Sequence, residues 1–401
     1  MKKTLLALAL STLPLAAAAE VTLYGDIKGG LEYTKVDHFD NSVTDVNDWG
    51  SYIGFRGEEE LSGGLKAIWQ IEQKISLDHN SPKNSRWADR ESFIGLSGAF
   101  GTLRAGYLED TFKSDLEALD PWQGNGIRTL ANYTRFGGRY TGVRYDSPNW
   151  SGFSFNVLYS PEDNNRLDQA RRSALAAVVE ENMDENNGGF EGLTGVVNTV
   201  TKYSDVLSVG LGYENAGWFA HYGYKNIRNA EVSGDGNDLN GEVHGLEVGY
   251  DDGTIFAGLG ARNSRNLVSG LGGQVGSNWE NTEGALTFAY TAGNLVPRIS
   301  VSYGEEKERH SDNPVKNKYG QIIAGLDYNL SKRTAVLASL GYWTNKPKSW
   351  TEVRDQVTDN FRSDSNKKYK SNRERIEAYS FGLGLRLSLI HISEPTRLGM
   401  I

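Results

Sequence analysis

The chain has 401 residues, 42 basic against 51 acidic side chains, a formal charge of −9 and no cysteine. A balance this negative speaks against nucleic acid as a partner, and a chain without cysteine has no disulfide framework. Glycine is abundant at 47, proline scarce at 9, aromatics reach 11% and hydrophobic residues only 38%, a mix that suits β-structure with one apolar face per strand.

The N-terminus reads as a secretory signal. Lys2 and Lys3 form a charged region, Thr4 to Leu15 an apolar stretch, and Ala17-x-Ala19 a cleavage site, so residues 1–19 are expected to be removed and the mature chain to begin at Glu20. Losing two lysines leaves 42 − 2 = 40 basic against 51 acidic residues, a mature charge near −11. No later segment approaches the ~18 apolar residues of a spanning helix. A helical membrane protein is excluded, and a barrel is not.

From Glu20 onward the pattern has period two. Val21, Leu23, Ile27, Leu31 and Tyr33 share one side, and Thr22, Asp26, Lys28 and Glu32 the other. Leu65, Ala67, Trp69, Ile71, Ile75 and Leu77 alternate with Lys66, Gln70, Glu72, Lys74 and Ser76 in the same way, and so do segments at 153–159, 218–224, 299–303, 322–328, 336–342 and 379–385. About sixteen such segments are expected, each near the ~10 residues that a tilted strand needs to cross a bilayer.

Connection lengths alternate too. Short ones ("GAFG", "SPNWSG", "ENAG", "DDG", "TAGN") are separated by long polar ones at 36–50, 78–86, 108–138, 160–203, 226–241, 263–280, 304–318 and 344–376. That alternation is what an up-and-down barrel produces when one rim has tight turns and the other carries loops. The fold class is therefore all-β: a transmembrane, 16-stranded antiparallel barrel with short periplasmic turns, and Tyr33, Trp218, Tyr290, Tyr303, Tyr328 and Tyr342 fit interfacial girdles. Within the loops, residues 166–179 could form a short amphipathic helix and 359–375 a solvated charged tip.

With about sixteen strands the lumen is too wide for side chains to fill, so water fills it. The parity of the first six strands aims Lys28, Arg56, Lys66, Lys74, Arg86, Arg90, Arg104 and Arg144 inward as a basic wall. "RESFIGLSG" is apolar on both parities and does not fix the face of Arg86 and Arg90. The connection 108–138 carries Glu109, Asp110, Asp115, Glu117 and Asp120. Folded into the barrel, it would set these carboxylates across water from the bases, in a constriction that selects by size and charge. The competing reading is a solvated acidic loop outside.

Nothing points to catalysis. His38, His79, His221, His244, His310 and His391 lack metal-ligand spacing, there is no G-x-S-x-G nucleophile motif, and the glycine runs "GLGLR" and "GLGAR" precede no helix. No enzyme, cofactor or metal is expected. The alternative to a channel is a surface adhesin or structural barrel acting through its loops.

The chain resembles the Gram-negative general porins of the neisserial and betaproteobacterial type. The likeness rests on "VTLYGDIKGGLE" at 21–32, "IGFRGEEELSGGLKAIWQIEQ" at 53–73, "RESFIGLSGAFGTLRAGY" at 90–107 and "DPW" at 120–122. It continues in "VRYDSPNWSGFS" at 143–154, "VPRISVSYG" at 296–304 and "DYNLSKRTAVLASLGYW" at 327–343. This resemblance implies a homotrimer in the outer membrane, in contact with its lipid and lipopolysaccharide, passing ions and small hydrophilic solutes. It also implies that residues 108–138 are the inward third loop, anchored by Asp120, Pro121 and Trp122. The end departs from the family: a last strand at "AYSFGLGLR" should stop soon after at an aromatic residue, whereas Leu387 to Arg397 reads "LSLIHISEPTR", so residues 387–401 are expected to be a sequence artefact.

Overall fold

The computed structural model describes residues 20–36, 41–78, 87–122, 124, 126–161, 205–232, 238–267, 279–308, 316–346 and 376–389. The strands are β1 (Glu20–Val36), β2 (Asn41–Asp48), β3 (Tyr52–Glu60), β4 (Lys66–Lys74), β5 (Ser92–Gly98), β6 (Gly101–Glu109), β7 (Arg139–Asp146), β8 (Phe153–Ser160) and β9 (Val206–Asn215). They continue as β10 (Trp218–Val232), β11 (Asp238–Asp251), β12 (Ile255–Arg265), β13 (Trp279–Tyr290), β14 (Leu295–Glu308), β15 (Lys316–Asn329), β16 (Thr334–Lys346) and β17 (Ile376–Ser388). Two single-turn helices, α1 (Thr111–Ser114) and α2 (Ala131–Thr134), lie between β6 and β7.

Apart from β2 and β3, which share the partner β1, consecutive strands pair antiparallel, and β1 closes the sheet against β17 from Asp26↔Ser388 to Val36↔Ala378. Both β2 and β3 pair with β1, one opposite Gly29–Val36 and the other opposite Glu20–Asp26. They form one stave broken at Trp49, Gly50 and Ser51, so seventeen strands make a closed barrel of sixteen staves.

Burial is inverted relative to a soluble sheet. Ile94, Leu259, Leu286, Leu340 and Leu383 are exposed on the outside, while Glu72, Arg144, Glu247, Arg262 and Glu283 are buried on the inside. Outward apolar chains gain nothing from water and need lipid, and inward charges need partners. Tight turns join staves on one rim; at Ala216 and Gly217 both φ values are positive (50° and 84°), the geometry of a two-residue hairpin turn.

The wall is uneven. Strands β3 to β8 have seven to nine residues, whereas β10 to β17 have 11 to 15. On the taller side, pairing runs into stretches expected as loops: parts of 226–241, 263–280 and 304–318 are strand, and so are residues 41–48. Backbone hydrogen bonds extend these hairpins after the apolar alternation has ended, which side-chain periodicity cannot register. Residues 1–19, most of 160–203, the helix expected at 166–179, the charged tip at 359–375, and residues 390–401 lie outside the described residues. Leu387 and Ser388 belong to β17 and stay in register with Ile27 and Asp26 of β1.

Candidate functional site

The long connection between β6 and β7 begins and ends at one carboxylate. Asp110 Oδ1 accepts the backbone N–H of Lys113 (2.9 Å), capping α1, and the N–H of Gly138 (3.1 Å), where the segment leaves. Its Oδ2 accepts from Lys225 Nζ (2.7 Å) on β10. One side chain thus closes the neck of the loop and ties it to the barrel wall.

From that neck the loop runs across the lumen on the inner wall of the taller staves. Phe112, Leu116, Leu119, Trp122, Ile127, Leu130 and Tyr133 are all buried; Leu119, Trp122, Leu130 and Tyr133 cluster with Ala285 and Ile323, and Phe112 and Leu116 with Phe136 and Val243. Burying each such chain contributes about 1.5–3 kcal/mol. They fit because the wall beneath is glycine. A β-carbon at Gly245 would lie 2.8 Å from both Phe112 and Leu116, one at Gly258 2.6 Å from Leu119, one at Gly325 2.6 Å from Trp122 and one at Gly341 2.8 Å from Ile127.

Polar contacts fix the register of that packing. Thr287 Oγ1 donates to the Leu119 carbonyl (2.6 Å), Gln321 Nε2 to that of Thr129 (2.7 Å) and Arg298 to that of Pro121 (2.7 Å); Trp122 Nε1 donates to Ser300 Oγ (2.9 Å). Arg262 donates to the carbonyls of Leu116 and Tyr133 and pairs with Glu247 (3.2 Å). Asp120 accepts from Thr129 Oγ1 (2.9 Å) and Leu130 N–H (3.2 Å), just ahead of α2. The Asp120-Pro121-Trp122 triplet therefore contacts the loop's return and β14.

The loop's first turn is bonded to β7, β8 and β9 and the rest lies on β10–β16; most of the bases sit on the staves from β1 to β6. Arg56 is exposed over the Tyr24 ring (5.1 Å), with no carboxylate within 4.0 Å among the described residues. Arg90 lies over Tyr52 (4.5 Å) and pairs with Glu72. Arg104 is held by Glu91 (3.0 Å) and Asp146 (2.8 Å). Lys28 is buried beside Asp26 (3.4 Å). Lys74 is exposed at the long-loop end of β4. Lys66 is at the opposite, short-turn end, 2.7 Å from Glu58. Arg86 lies outside the described residues.

Arg144 stands apart. It is buried under the loop's first turn, donating to Ser114 Oγ (2.7 Å) and the Glu109 carbonyl (2.8 Å), with Asp146 at 2.8 Å and Asp115 at 3.5 Å. The loop's acids are fasteners too: Glu109 pairs with Arg139 (2.6 Å), Asp110 with Lys225 and Glu117 with Lys113 (2.6 Å). Burial pushes the Glu117 carboxyl up to about 7 against the opposing pull of Lys113. Among the described residues the loop's most exposed positions are small and uncharged, Ser114, Gly126 and Ala131, while Lys113, Asp115 and Glu117 are partly buried.

The docking partners Lys225, Glu247, Arg262, Arg298 and Asp327 were not among the residues singled out from sequence. Inward parity, applied beyond the sixth stave, would have found them. Trp49 and Arg128 had no such signal, because one sits in a stave break and the other in an irregular turn.

A closed sixteen-stave barrel with an inverted surface and a loop packed inside it narrows the choice of family. A family model described as Gram-negative porin matches residues 18–363. The chain belongs to the Gram-negative porin family. Among curated relatives of this porin, the major outer membrane protein P.IA of Neisseria meningitidis serogroup A / serotype 4A is 37% identical over 390 residues, covering 86% of this chain and 95% of that one. The P.IB protein of Neisseria lactamica is 37% identical over 358 residues, covering 85% and 93%. Solved structures share the fold at low identity. A loop L8 deletion mutant of OmpT from Vibrio cholerae has a TM-score of 0.60 at 15% identity, covering 92% of this chain and 99% of that one. Salmonella typhi OmpF in complex with daunomycin has 0.57 at 16%, covering 92% and 98%. This porin is a bacterial outer-membrane channel for small solutes.

Proposed function

We propose that the loop between β6 and β7 makes this channel a passive pore with a charged eyelet, bounded by the loop's small-residue edge and by Arg56, Lys74, Arg90 and Arg104 on the wall, with Lys28 and Arg144 buried behind it. The observation that carries this is the docking itself: the loop is bonded to β7–β9 at its first turn and to β13–β15 further on, while Arg56, Arg90 and Arg104 stand on staves it does not bond among the described residues. A water-filled constriction of this kind orients dipoles and discriminates by size and charge without chemistry, so the reading includes no catalysis and no cofactor. Because the loop carboxylates are consumed by docking while Arg56 faces water, the wall bases set the sign and the pore prefers anions. The refolded protein in a planar bilayer with a salt gradient tests this: the reversal potential should report anion preference, and Arg104→Glu should move it towards cations. Cation preference in the parent, or an unmoved potential in the variant, overturns the eyelet assignment.

For assembly, the reading is a homotrimer, supported by the likeness to the in-vitro folded OmpT of Vibrio cholerae in its trimer form (TM-score 0.57, 14% identity). Contact with lipopolysaccharide fits the outer face at the long-loop rim. There Lys307 stands directly across from Lys316, and Lys318 lies 3.6 Å from Glu305, just above the exposed Tyr303. Like charges placed opposite each other are unfavourable alone and suit the phosphates of an outer-leaflet glycolipid.

A further inference from the structure

Arg128 is only 2% exposed, at the return of a loop inside a channel. Its Nη1 donates to Ser339 Oγ (2.7 Å) on β16 and its Nη2 to Asp327 Oδ1 (3.1 Å) on β15. Its guanidinium carbon lies 5.4 Å from the Trp122 ring centre and 5.6 Å from that of Trp49. Planar guanidinium between two indoles, with a carboxylate and a hydroxyl at its edge, uses the stacking face and the hydrogen-bonding fork together.

Trp122 belongs to the loop, but Trp49 comes from the wall. It is delivered by the break between β2 and β3, and that break is built. Asp48 Oδ1 accepts the N–H groups of Gly50 (2.8 Å) and Ser51 (2.9 Å), Gly50 takes φ 95°, and Ser51 Oγ bonds both the N–H and the carbonyl of Lys28 (3.0 Å each). Three residues on this stave face two on β1, the arrangement of a bulge that re-aims a side chain. The indole then points inward with no exposure, donates from Nε1 to Glu32 (3.2 Å), and rests beside Gly382, whose β-carbon would lie 3.0 Å from Trp49 and 3.3 Å from Ile127.

We propose that Trp49 and Arg128 are positioning residues for permeation: a finger from the broken stave and the loop's buried guanidinium interlock, and so fix the width of the eyelet beside the β1–β17 closure. Arg128 acts from behind the water path, through the loop it holds. The proposal rests on the channel reading above, and the two fail differently: a parent protein that does not conduct sinks the channel reading, whereas a conducting parent with indifferent variants sinks the lock.

The test is single-channel recording of the full-length refolded protein with Arg128→Lys, Trp49→Leu and the double variant. Both changes conserve charge or apolar character, and heat-modifiable migration verifies that each variant folds as a barrel. Each single variant should conduct with several-fold higher open-channel noise and admit larger neutral polymers. The double variant should be no worse than the more affected single variant, because one interlock is broken once. Trp49→Phe should restore most of the quiet, and Arg128→Lys should keep the parent's reversal potential. Parent-like noise and polymer cut-off in both single variants, or effects that add in the double variant, would overturn the lock.

Discussion

Lys225 Nζ lies 2.7 Å from Asp110 Oδ2, and both side chains are almost wholly out of water. The pair joins β10 to the neck of the inward loop, whose two ends Asp110 also ties together. Removing one partner of a buried pair strands the other charge, at a cost of about 3–5 kcal/mol. Lys225→Met should therefore release the loop, making residues 111–137 cleavable by protease in a barrel that still migrates as folded. Adding Asp110→Asn should recover part of the loss, since no bare charge then remains buried. Equal protease resistance in parent and Lys225→Met would show that the pair does not hold the neck.

The glycine lane offers a separate handle on the loop. Gly245→Ala sets a methyl group 2.8 Å from Leu116 and Phe112, an overpacking that costs about 1–3 kcal/mol. Gly284→Ala, where the nearest heavy atom is 3.6 Å away, has room. Conductance should change in the first variant and stay at the parent level in the second. A parent-like Gly245→Ala channel would mean that the loop yields freely.

Charge in the path should matter by position rather than by count. Arg56 is exposed and without a carboxylate partner among the described residues, whereas Lys66 is paired with Glu58 at the short-turn rim. Arg56→Gln should shift the reversal potential further than Lys66→Gln, because a rim pair in water is screened within about 8–10 Å. Equal shifts would remove Arg56 from the narrow zone.

Glu117 should give the channel a titration near neutrality, because burial raises its carboxyl to about 7. As pH falls from 8 to 6 the carboxylate takes up a proton, one negative charge beside Lys113 is lost, and the reversal potential moves towards anions. The Glu117→Gln channel should show no such step. A step that survives the substitution belongs to another group.

Much of this fold is legible because its two signals are local. Alternation at Val21, Leu23, Ile27 and Leu31 needs only neighbouring residues, and short turns such as Ala216-Gly217 announce themselves by composition. The strand extension over 41–48 stayed hidden because its two apolar residues, Val43 and Val46, fall on opposite parities among polar ones, so no alternation marks it and backbone pairing makes it a strand. The wall bases followed from parity, which carries direction but not depth; Lys66 and Arg104 share a parity and differ in their place along the barrel. What no local rule gives is the docked loop's own accounting, in which Asp110, Asp115 and Glu117 are committed to Lys225, Arg144 and Lys113. Glu117 and Lys113 are four residues apart, but Asp110 and Lys225 are 115 apart in sequence, and only the closed barrel brings such a pair together.

The central claim is that the loop between β6 and β7 lies in the conducting path. Because the chain has no cysteine, Ala131→Cys places a single thiol on the loop's exposed edge. Single-channel current recorded before and after treatment with a bulky, charged methanethiosulfonate tests the claim most directly. A stepwise fall in current, reversed by reductant and absent in the parent, is the predicted result; full labelling of the thiol with the current unchanged would contradict it.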